Sequence, residues 1–300
     1  MKFLLPMEAV TYYIFYAFNW LMTLLPLRVL YVFSDILFLA LYYFPGYRRK
    51  VVAENLRNSF PDKSEQERAV IARKFYRHLA DMFIETFKLP HLRLKEHEKR
   101  CVFENTELLN RLYDEGKDIA AVLGHYNNWE MQNILQLKMK HTIVSIYRPL
   151  SNRHFDRFIM NIRGRYGMVL TPTSMVIREI VNRRKNNERT MSVFLSDQTP
   201  AVSDIHYWTT FLNQDTPVYT GTEKIATKYG MAVVFINQQK ISRGHYRVRF
   251  ELLFESTEGL REHEVTEAHV KHLEQIIREH PEFWLWTHKR WKHKRPQANA

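Results

Sequence analysis

His125 and Glu130 are the residues whose types and spacing most directly suggest catalysis. Residues 119–123 form a short apolar run typical of a strand buried on both faces, and Gly124 then lets the chain turn. A pair of asparagines favours the start of a helix, and Glu130 falls on its first turn. Because chemistry collects at the carboxyl ends of strands in parallel sheets, this order predicts a general base with an orienting carboxylate.

The spacing of this pair is significant only in its context. With 14 His and 32 Asp+Glu in 300 residues, chance yields about 1.5 matches to a histidine followed five positions later by an acid. Three occur, namely His91/Glu96, His125/Glu130 and His269/Glu274. The first and third lie in charged, helix-like runs, where residues five apart point away from each other. Only His125 follows a strand, and the alternative for it is a structural, hydrogen-bonded histidine.

Polar residues also follow other apolar runs. Arg148 comes after residues 142–147, Asp197 comes after 190–195, and Arg163 and Arg165 end the helix that follows Arg148. Arginines that converge on one edge of a sheet suit a phosphate, through bidentate hydrogen bonds. The simpler interpretations are that Arg163 and Arg165 complement a helix C-terminus, and that Asp197 is a turn residue or orients a basic partner.

The elements that position these residues alternate regularly between strand and helix. The strands are predicted at 119–123, 142–147, 168–171, 190–195, 232–236 and 245–254. The last of them alternates polar and apolar residues and is predicted to be an edge or antiparallel strand. Helices are predicted between them, and Ser64 with Glu67 forms a capping box for an earlier helix. The pattern predicts an α/β fold with a mostly parallel central sheet flanked by helices.

The N-terminal segment is predicted to be a membrane anchor. Residues 9–27 carry no charge, and residues 29–47 are apolar except for Asp35, before the basic cluster 48–50. The first stretch is close to the length that spans a bilayer, and its tyrosines and tryptophan favour interfaces. We therefore divide the chain into an anchor at 1–46 and a domain at 47–300. The basic cluster favours the cytoplasmic side for that domain. The alternative is a hairpin buried in the core.

Composition limits the class of partner. The net charge of +12 and the pI near 9.6 indicate an anionic partner, such as a phosphorylated substrate, a membrane surface or a nucleic acid. The C-terminal run 284–295 mixes aromatic and basic residues, which suits stacking on nucleic acid or binding to an anionic membrane. With an apolar segment at the other end of the chain, we favour the membrane.

Several kinds of site are missing from the sequence. It contains no Cys/His cluster of the zinc type, no nucleotide-binding glycine loop and no Gly-x-Ser-x-Gly nucleophile motif. We therefore predict neither a cofactor nor a metal. Cys101 is the single cysteine, which precludes an internal disulfide, and a packing role for it is favoured over a nucleophilic one.

Several short motifs together resemble the late acyltransferases of lipid A biosynthesis, within the lysophospholipid acyltransferase superfamily. In chain order they are Tyr47-Arg48-Arg49-Lys50, Asn55-Leu56, Phe60-Pro61, Gly124-His125 to Glu130, Tyr147-Arg148-Pro149 with Asn152, Arg163-x-Arg165, Asp197-Gln198, Phe211-Leu212, Gly221, Pro281-Glu282 and Trp286-x-His288-x-Arg290-Trp291-Lys292. Glu130 stands where the wider superfamily commonly has Asp. Asn213, and the lack of a glycine after Asp197-Gln198, leave the choice of acyl chain and acceptor open.

The resemblance implies a membrane-bound O-acyltransferase of the inner membrane, with its catalytic domain on the cytoplasmic side. The implied donor is an acyl chain on acyl carrier protein, and the implied acceptor is a hydroxyl of a phosphorylated glycolipid precursor of lipid A. His125 is the implied base, Glu130 its orienting partner, and no covalent enzyme intermediate is required. The implied substrate-binding residues are Arg148, Asn152, Arg163, Arg165 and Asp197.

Two other functions remain open at this point. An acyltransferase for an aminolipid or a lysophospholipid has the same catalytic residues. A membrane-tethered nucleic-acid-binding protein would instead use the basic C-terminal run. The position of the cations discriminates between these classes: nucleic-acid binding requires a continuous basic stripe, and an acyltransferase requires a basic rim beside an apolar cavity near His125.

Overall fold

A seven-stranded, mostly parallel sheet forms the centre of the protein, in a computed structural model that describes residues 7–44 and 46–296. Its strands run in the spatial order β1-β9-β8-β2-β5-β3-β4, and a separate antiparallel hairpin contains β6 and β7. The strands are β1 (Cys101–Glu104), β2 (Ile119–Leu123), β3 (Thr142–Tyr147), β4 (Val169–Pro172), β5 (Thr190–Leu195), β6 (Tyr207–Phe211), β7 (Gln214–Val218), β8 (Ala232–Ser242) and β9 (His245–Phe254). All neighbours in the large sheet are parallel except β8 and β9. The predicted α/β class, parallel sheet and antiparallel last strand are confirmed.

Helices cover both faces of this sheet. They are α1 (Met7–Thr23), α2 (Leu27–Tyr43), α3 (Arg49–Ser59), α4 (Glu65–Lys88), α5 (Leu94–Arg100), α6 (Thr106–Asp114), α7 (Arg153–Arg163), α8 (Val176–Lys185), α9 (Gly221–Lys228) and α10 (Glu264–Glu279). The predicted capping box opens α4, where Glu67 N–H donates to Ser64 Oγ and the Ser64 N–H donates to the Glu67 carboxylate.

The position of strand β2 in the sheet accounts for its apolar sequence, because every one of its residues is buried. It lies between β5 and β8, so neither of its edges reaches solvent. Ala120 and Val122 enter the hydrophobic core on one face of the sheet, and Ile119, Ala121 and Leu123 enter the core on the other. A central parallel strand of this kind must be apolar on both faces.

The N-terminal hairpin, which consists of the consecutive helices α1 and α2, differs from the predicted anchor. In the described part of the chain, no helix combines the length and the apolar character needed to cross a bilayer. The expected spanning segment at 9–27 therefore finds no support, and residues 1–6 and 45 of the predicted anchor lie outside the described residues. Helix α2 packs along α4 through Leu27, Leu30, Ser34 and Phe38. The division of the chain at residue 46 stays a prediction.

The helix predicted after His125 is instead a 3₁₀ helix, Trp129–Lys138. Neither asparagine caps it, which corrects the prediction. Asn127 has a positive φ of 56°, and the Asn128 side-chain amide donates to buried Glu85 of α4 at 2.9 Å. Tertiary hydrogen bonds therefore hold the segment, and the ordinary capped α-helix does not form.

Candidate active site

His125 lies just beyond the carboxyl end of β2, and its closest polar partner is Asp197. The Asp197 carboxylate contacts His125 twice, through Nδ1 at 2.6 Å and through the backbone N–H at 2.8 Å. Leu123 of β2 is paired in register with Leu195 of β5. The residues two positions beyond these strand ends, His125 and Asp197, therefore meet at the same edge of the sheet.

The protonation of this pair follows from the surroundings of Asp197. Its carboxylate is buried, and Trp284 Nε1 donates to it at 2.8 Å, in addition to the two His125 donors. Burial alone raises the pKa of Asp197, but the His125 charge and these hydrogen bonds outweigh it and lower the pKa to about 2. Asp197 is thus an acceptor only, so His125 Nδ1 must carry the hydrogen. In the neutral ring, the Nε2 lone pair is then the basic site.

The side chain at Nε2 is Gln198, the neighbour of Asp197. Its Nε2 lies 3.2 Å from His125 Nε2. Because the His125 nitrogen is an acceptor here, the glutamine amide donates to it. Asp197 and Gln198 therefore contact the two ring nitrogens of His125. An incoming hydroxyl must displace Gln198 to reach Nε2.

Gly124 makes the close approach of Asp197 to this loop possible. A Cβ atom at this position would lie 2.7 Å from Leu273 Cδ1 of α10 and 3.2 Å from Asp197 Oδ2. A larger residue would therefore displace the Leu273 side chain and crowd the carboxylate that contacts His125. This is a steric requirement for the predicted glycine, distinct from its ability to turn.

The predicted contact between Glu130 and His125 is wrong in this structure. The Glu130 carboxylate pairs with Arg163 of α7, at 2.9 Å to Nε and 2.5 Å to Nη2. Trp129 lies between the two sites: its Nε1 donates to Glu130 at 3.0 Å, and its ring meets the His125 ring edge-on at 4.7 Å. The turn at Asn127 and the 3₁₀ winding direct Glu130 toward α7, and Asp197 takes the orienting position.

The other predicted substrate-binding residues divide into two groups. Asn152 caps α7 by accepting from the N–H groups of His154 and Phe155, and Arg165 donates to the Leu89 carbonyl. Those contacts, and the Glu130 partner of Arg163, account for three of the predicted residues without a ligand. Arg148 is exposed and has no hydrogen bond or ion pair across residues 7–44 and 46–296. The substrate-binding roles of these four residues stay predictions. Among them, Arg148 has no protein partner in the described ranges and is free to bind a phosphate.

A pocket with about 520 Å³ of empty space, part of it open to solvent, lies on the far side of Trp129 from His125. It lies between the 3₁₀ helix and the sheet, and its apolar lining includes Leu123, Leu135, Ile143, Val193, Leu195 and Ile236. Trp129 belongs to the same lining, so one aromatic ring separates the pocket from the imidazole. The Glu130–Arg163 pair also lines it. The apolar side of this lining suits an apolar part of a ligand.

The C-terminal run 284–295 packs against the loop that carries His125, a contact that the sequence did not predict. Trp284 and Trp286 are buried, and the Leu285 N–H donates to the His125 carbonyl at 3.1 Å. The interpretation of this run as a surface for a membrane or nucleic acid therefore does not hold for Trp284 and Trp286. Their buried rings are not available to stack on bases.

Comparison with known proteins gives one family. A sequence model described as bacterial lipid A biosynthesis acyltransferase matches residues 1–293. No curated protein matches the chain.

Proposed function

Since the chain belongs to the bacterial lipid A biosynthesis acyltransferase family, we propose that it transfers a fatty acyl chain from acyl carrier protein to a hydroxyl of a phosphorylated lipid A precursor. The observation that supports this most is the His125–Asp197 pair, which only the Trp129 ring separates from a pocket with a largely apolar lining. A base and an apolar site for the chain are the two parts that acyl transfer to a hydroxyl requires.

The proposed reaction has one nucleophilic step on the thioester. His125 Nε2 removes the proton from the acceptor hydroxyl as its oxygen attacks the carbonyl carbon. The carbon–sulfur bond then breaks, and the departing thiolate takes the proton from the imidazolium. The ionised Asp197 stabilises the imidazolium between these steps. Cys101 is buried in β1 and burial raises the pKa of its thiol, so it does not serve as a nucleophile.

In this proposal the apolar pocket holds the acyl chain and the Glu130–Arg163 pair shapes its entrance. The pair is partly buried, and Glu130 also accepts from the Trp129 indole. It therefore orients the ring that separates the pocket from His125. Glu130 is a positioning residue in this scheme, in place of the catalytic role predicted for it.

The direct test is an assay with purified protein, acyl-loaded carrier protein and a phosphorylated lipid A precursor. We expect the acceptor to gain the mass of one acyl chain, measured by mass spectrometry. Parallel reactions contain a lysophospholipid or an aminolipid as acceptor. Acylation of only those lipids would instead establish the related function within the same reaction class.

Arg148 is proposed to bind the acceptor phosphate, because it is exposed and without a protein partner in the described ranges. We expect Arg148→Ala to raise the KM for the phosphorylated acceptor about tenfold, which is the loss of one charge-assisted hydrogen bond. The KM for a dephosphorylated acceptor should change little.

Arg73 is a matched control, since it is an exposed arginine of α4 that also lacks a partner among those residues. Arg73→Ala should leave both KM values unchanged. An equal effect of Arg148→Ala on the two acceptors would remove the phosphate-binding role.

The N-terminal hairpin is proposed to dock on a membrane surface. Ile14, Phe18 and Leu21 of α1 are each more than 60% exposed, and Val32 and Ile36 of α2 are 58% exposed. Their spacing places them on the outer faces of two helices, as in an interfacial apolar surface. The exposed basic residues at 28 and 48–50 complement an anionic lipid surface.

Charged substitutions on this hairpin test the docking. We expect Ile14→Glu, Leu21→Glu and Ile36→Glu, combined in one variant, to abolish flotation with vesicles that contain anionic lipid. Val202→Glu is the control, because Val202 is a 72% exposed apolar residue outside the hairpin. Retained flotation of the triple variant would show that another surface binds the membrane.

A further inference from the structure

His288 is a second histidine at the same edge of the sheet, and its backbone is tightly held. Asn55 of α3 donates to the carbonyls of Trp286 and His288, at 2.9 and 3.0 Å. The His288 ring accepts a hydrogen bond at Nε2 from the Thr199 N–H, at 3.1 Å. Thr199 Oγ1 in turn donates to the carbonyls of Lys289 and Arg290. The ring orientation is therefore set by the loop that follows β5.

The Thr199 contact determines which nitrogen of His288 carries the hydrogen. A backbone N–H only donates, so Nε2 must be unprotonated, and in the neutral ring Nδ1 carries the hydrogen. Burial lowers the pKa of His288 to about 4, against a favourable effect of Asp197, so the ring is neutral near pH 7. Its Nδ1–H has no hydrogen-bond partner in the part of the chain that the structure describes.

Two consecutive residues connect His288 to the base. The Gln198 side chain bonds to His125 Nε2, and the next residue, Thr199, bonds to His288 Nε2. The two rings are also near enough for His125 to act electrostatically on His288. The loop thus contacts both imidazoles: Gln198 occupies Nε2 of His125, and the Nδ1–H of His288 has no partner among the described residues.

We propose that His288 is a second catalytic residue, which donates its Nδ1–H to the carbonyl oxygen of the acyl thioester and stabilises the oxyanion that forms there. This rests on the proposed acyl transfer. The proton stays on His288, so the step requires no further acid or base. A neutral donor has a physical advantage here, because a second cation beside His125 would reduce the basicity of Nε2.

Arg290 and Arg148 fit this role less well. Arg290 is 2% exposed, and its Nη2 donates to the Pro217 carbonyl. Its Nε and Nη1 have no partner among the described residues, but a cation beside His125 would reduce the basicity of Nε2. Arg148 is in solvent, where a hydrogen bond to an oxyanion contributes much less than in a sheltered site.

Replacement of His288 by Asn or by Gln distinguishes a catalytic role of its Nδ1–H donor from a structural role of its Nε2 acceptor. The amide of Asn reaches the position of Nδ1, so His288→Asn keeps a donor there and loses the bond from Thr199. The amide of Gln reaches the position of Nε2, so His288→Gln keeps an acceptor for Thr199 and loses the donor. We expect His288→Gln to melt like the wild type but to lose about 10²–10³-fold in kcat, with KM nearly unchanged, as on removal of one oxyanion donor.

His288→Asn is expected to retain at least about tenfold more kcat than His288→Gln. The reverse order, a fully active Gln variant and an impaired Asn variant, would make His288 structural and overturn the inference. His125→Ala is measured alongside. An inactive His125→Ala with an unaffected His288→Gln would refute the role of His288 alone, and activity in His125→Ala would refute the proposed base.

Discussion

Replacement of His125 by alanine is expected to reduce acyl transfer by about 10²–10⁴-fold, the usual contribution of a positioned general base. The loss should appear in kcat, because Nε2 acts on the acceptor proton in the transition state and the apolar pocket remains intact. Steady-state kinetics with an acyl-loaded carrier protein and a saturating acceptor measure this effect. The variant should remain folded, because the His125 backbone keeps its bond from the Leu285 N–H.

His206→Ala is the matched control for this prediction. His206 is an exposed histidine with no hydrogen bond or ion pair within residues 46–296, and its loss should leave kcat and KM unchanged. A folded His125→Ala protein that keeps most of its activity would disprove the assignment of the base.

Replacement of Asp197 by asparagine is expected to lower kcat by about 10⁴-fold, because it places the imidazole hydrogen on the wrong nitrogen. Oδ2 of Asp197 accepts from both the His125 N–H and Trp284 Nε1. The Asn carbonyl oxygen must take that position, so its NH₂ group faces His125 Nδ1. Nδ1 then becomes the acceptor and Nε2 carries the hydrogen, so the basic lone pair no longer faces the acceptor. Kinetics and ¹⁵N spectra of the imidazole together test this change.

Glu130→Gln is the informative comparison, because it changes the carboxylate originally predicted to orient His125. The structure pairs Glu130 with Arg163, so we expect a loss of about 2 kcal/mol in the free energy of unfolding, as for a weakened, partly buried hydrogen bond between charged groups. The loss in kcat should be far smaller than for Asp197→Asn. The double variant His125→Ala/Asp197→Asn should be little worse than His125→Ala, since members of one catalytic unit are not additive.

The opposite ranking would restore the sequence-based assignment. If Glu130→Gln lost more kcat than Asp197→Asn and kept its stability, Glu130 would be the orienting residue during catalysis. Chemical denaturation measures the stability of each variant, and the kinetics of the same preparations measure kcat.

Local patterns in the sequence determined the parts of this protein that depend on neighbouring residues. The apolar run at 119–123 predicted a strand buried on both faces, and the glycine after it predicted a turn that presents His125. The alternation in residues 245–254 predicted the antiparallel strand β9, and Ser64 with Glu67 predicted the start of α4. The periodicity of a helix or a strand and the chemistry of a cap are readable in this way, because each involves residues a few positions apart.

The tertiary structure alone decided the partners of the site residues. Asp197 is 72 positions from His125, and the two meet only because β2 and β5 are paired in register. Glu130, five positions from His125, instead pairs with an arginine 33 positions away on α7. Trp284 is buried against Asp197, although it begins a run, 284–295, that is rich in basic residues. Spacing along the chain did not reveal these contacts, because the register of parallel strands and the docking of helices bring together residues with no local pattern in common.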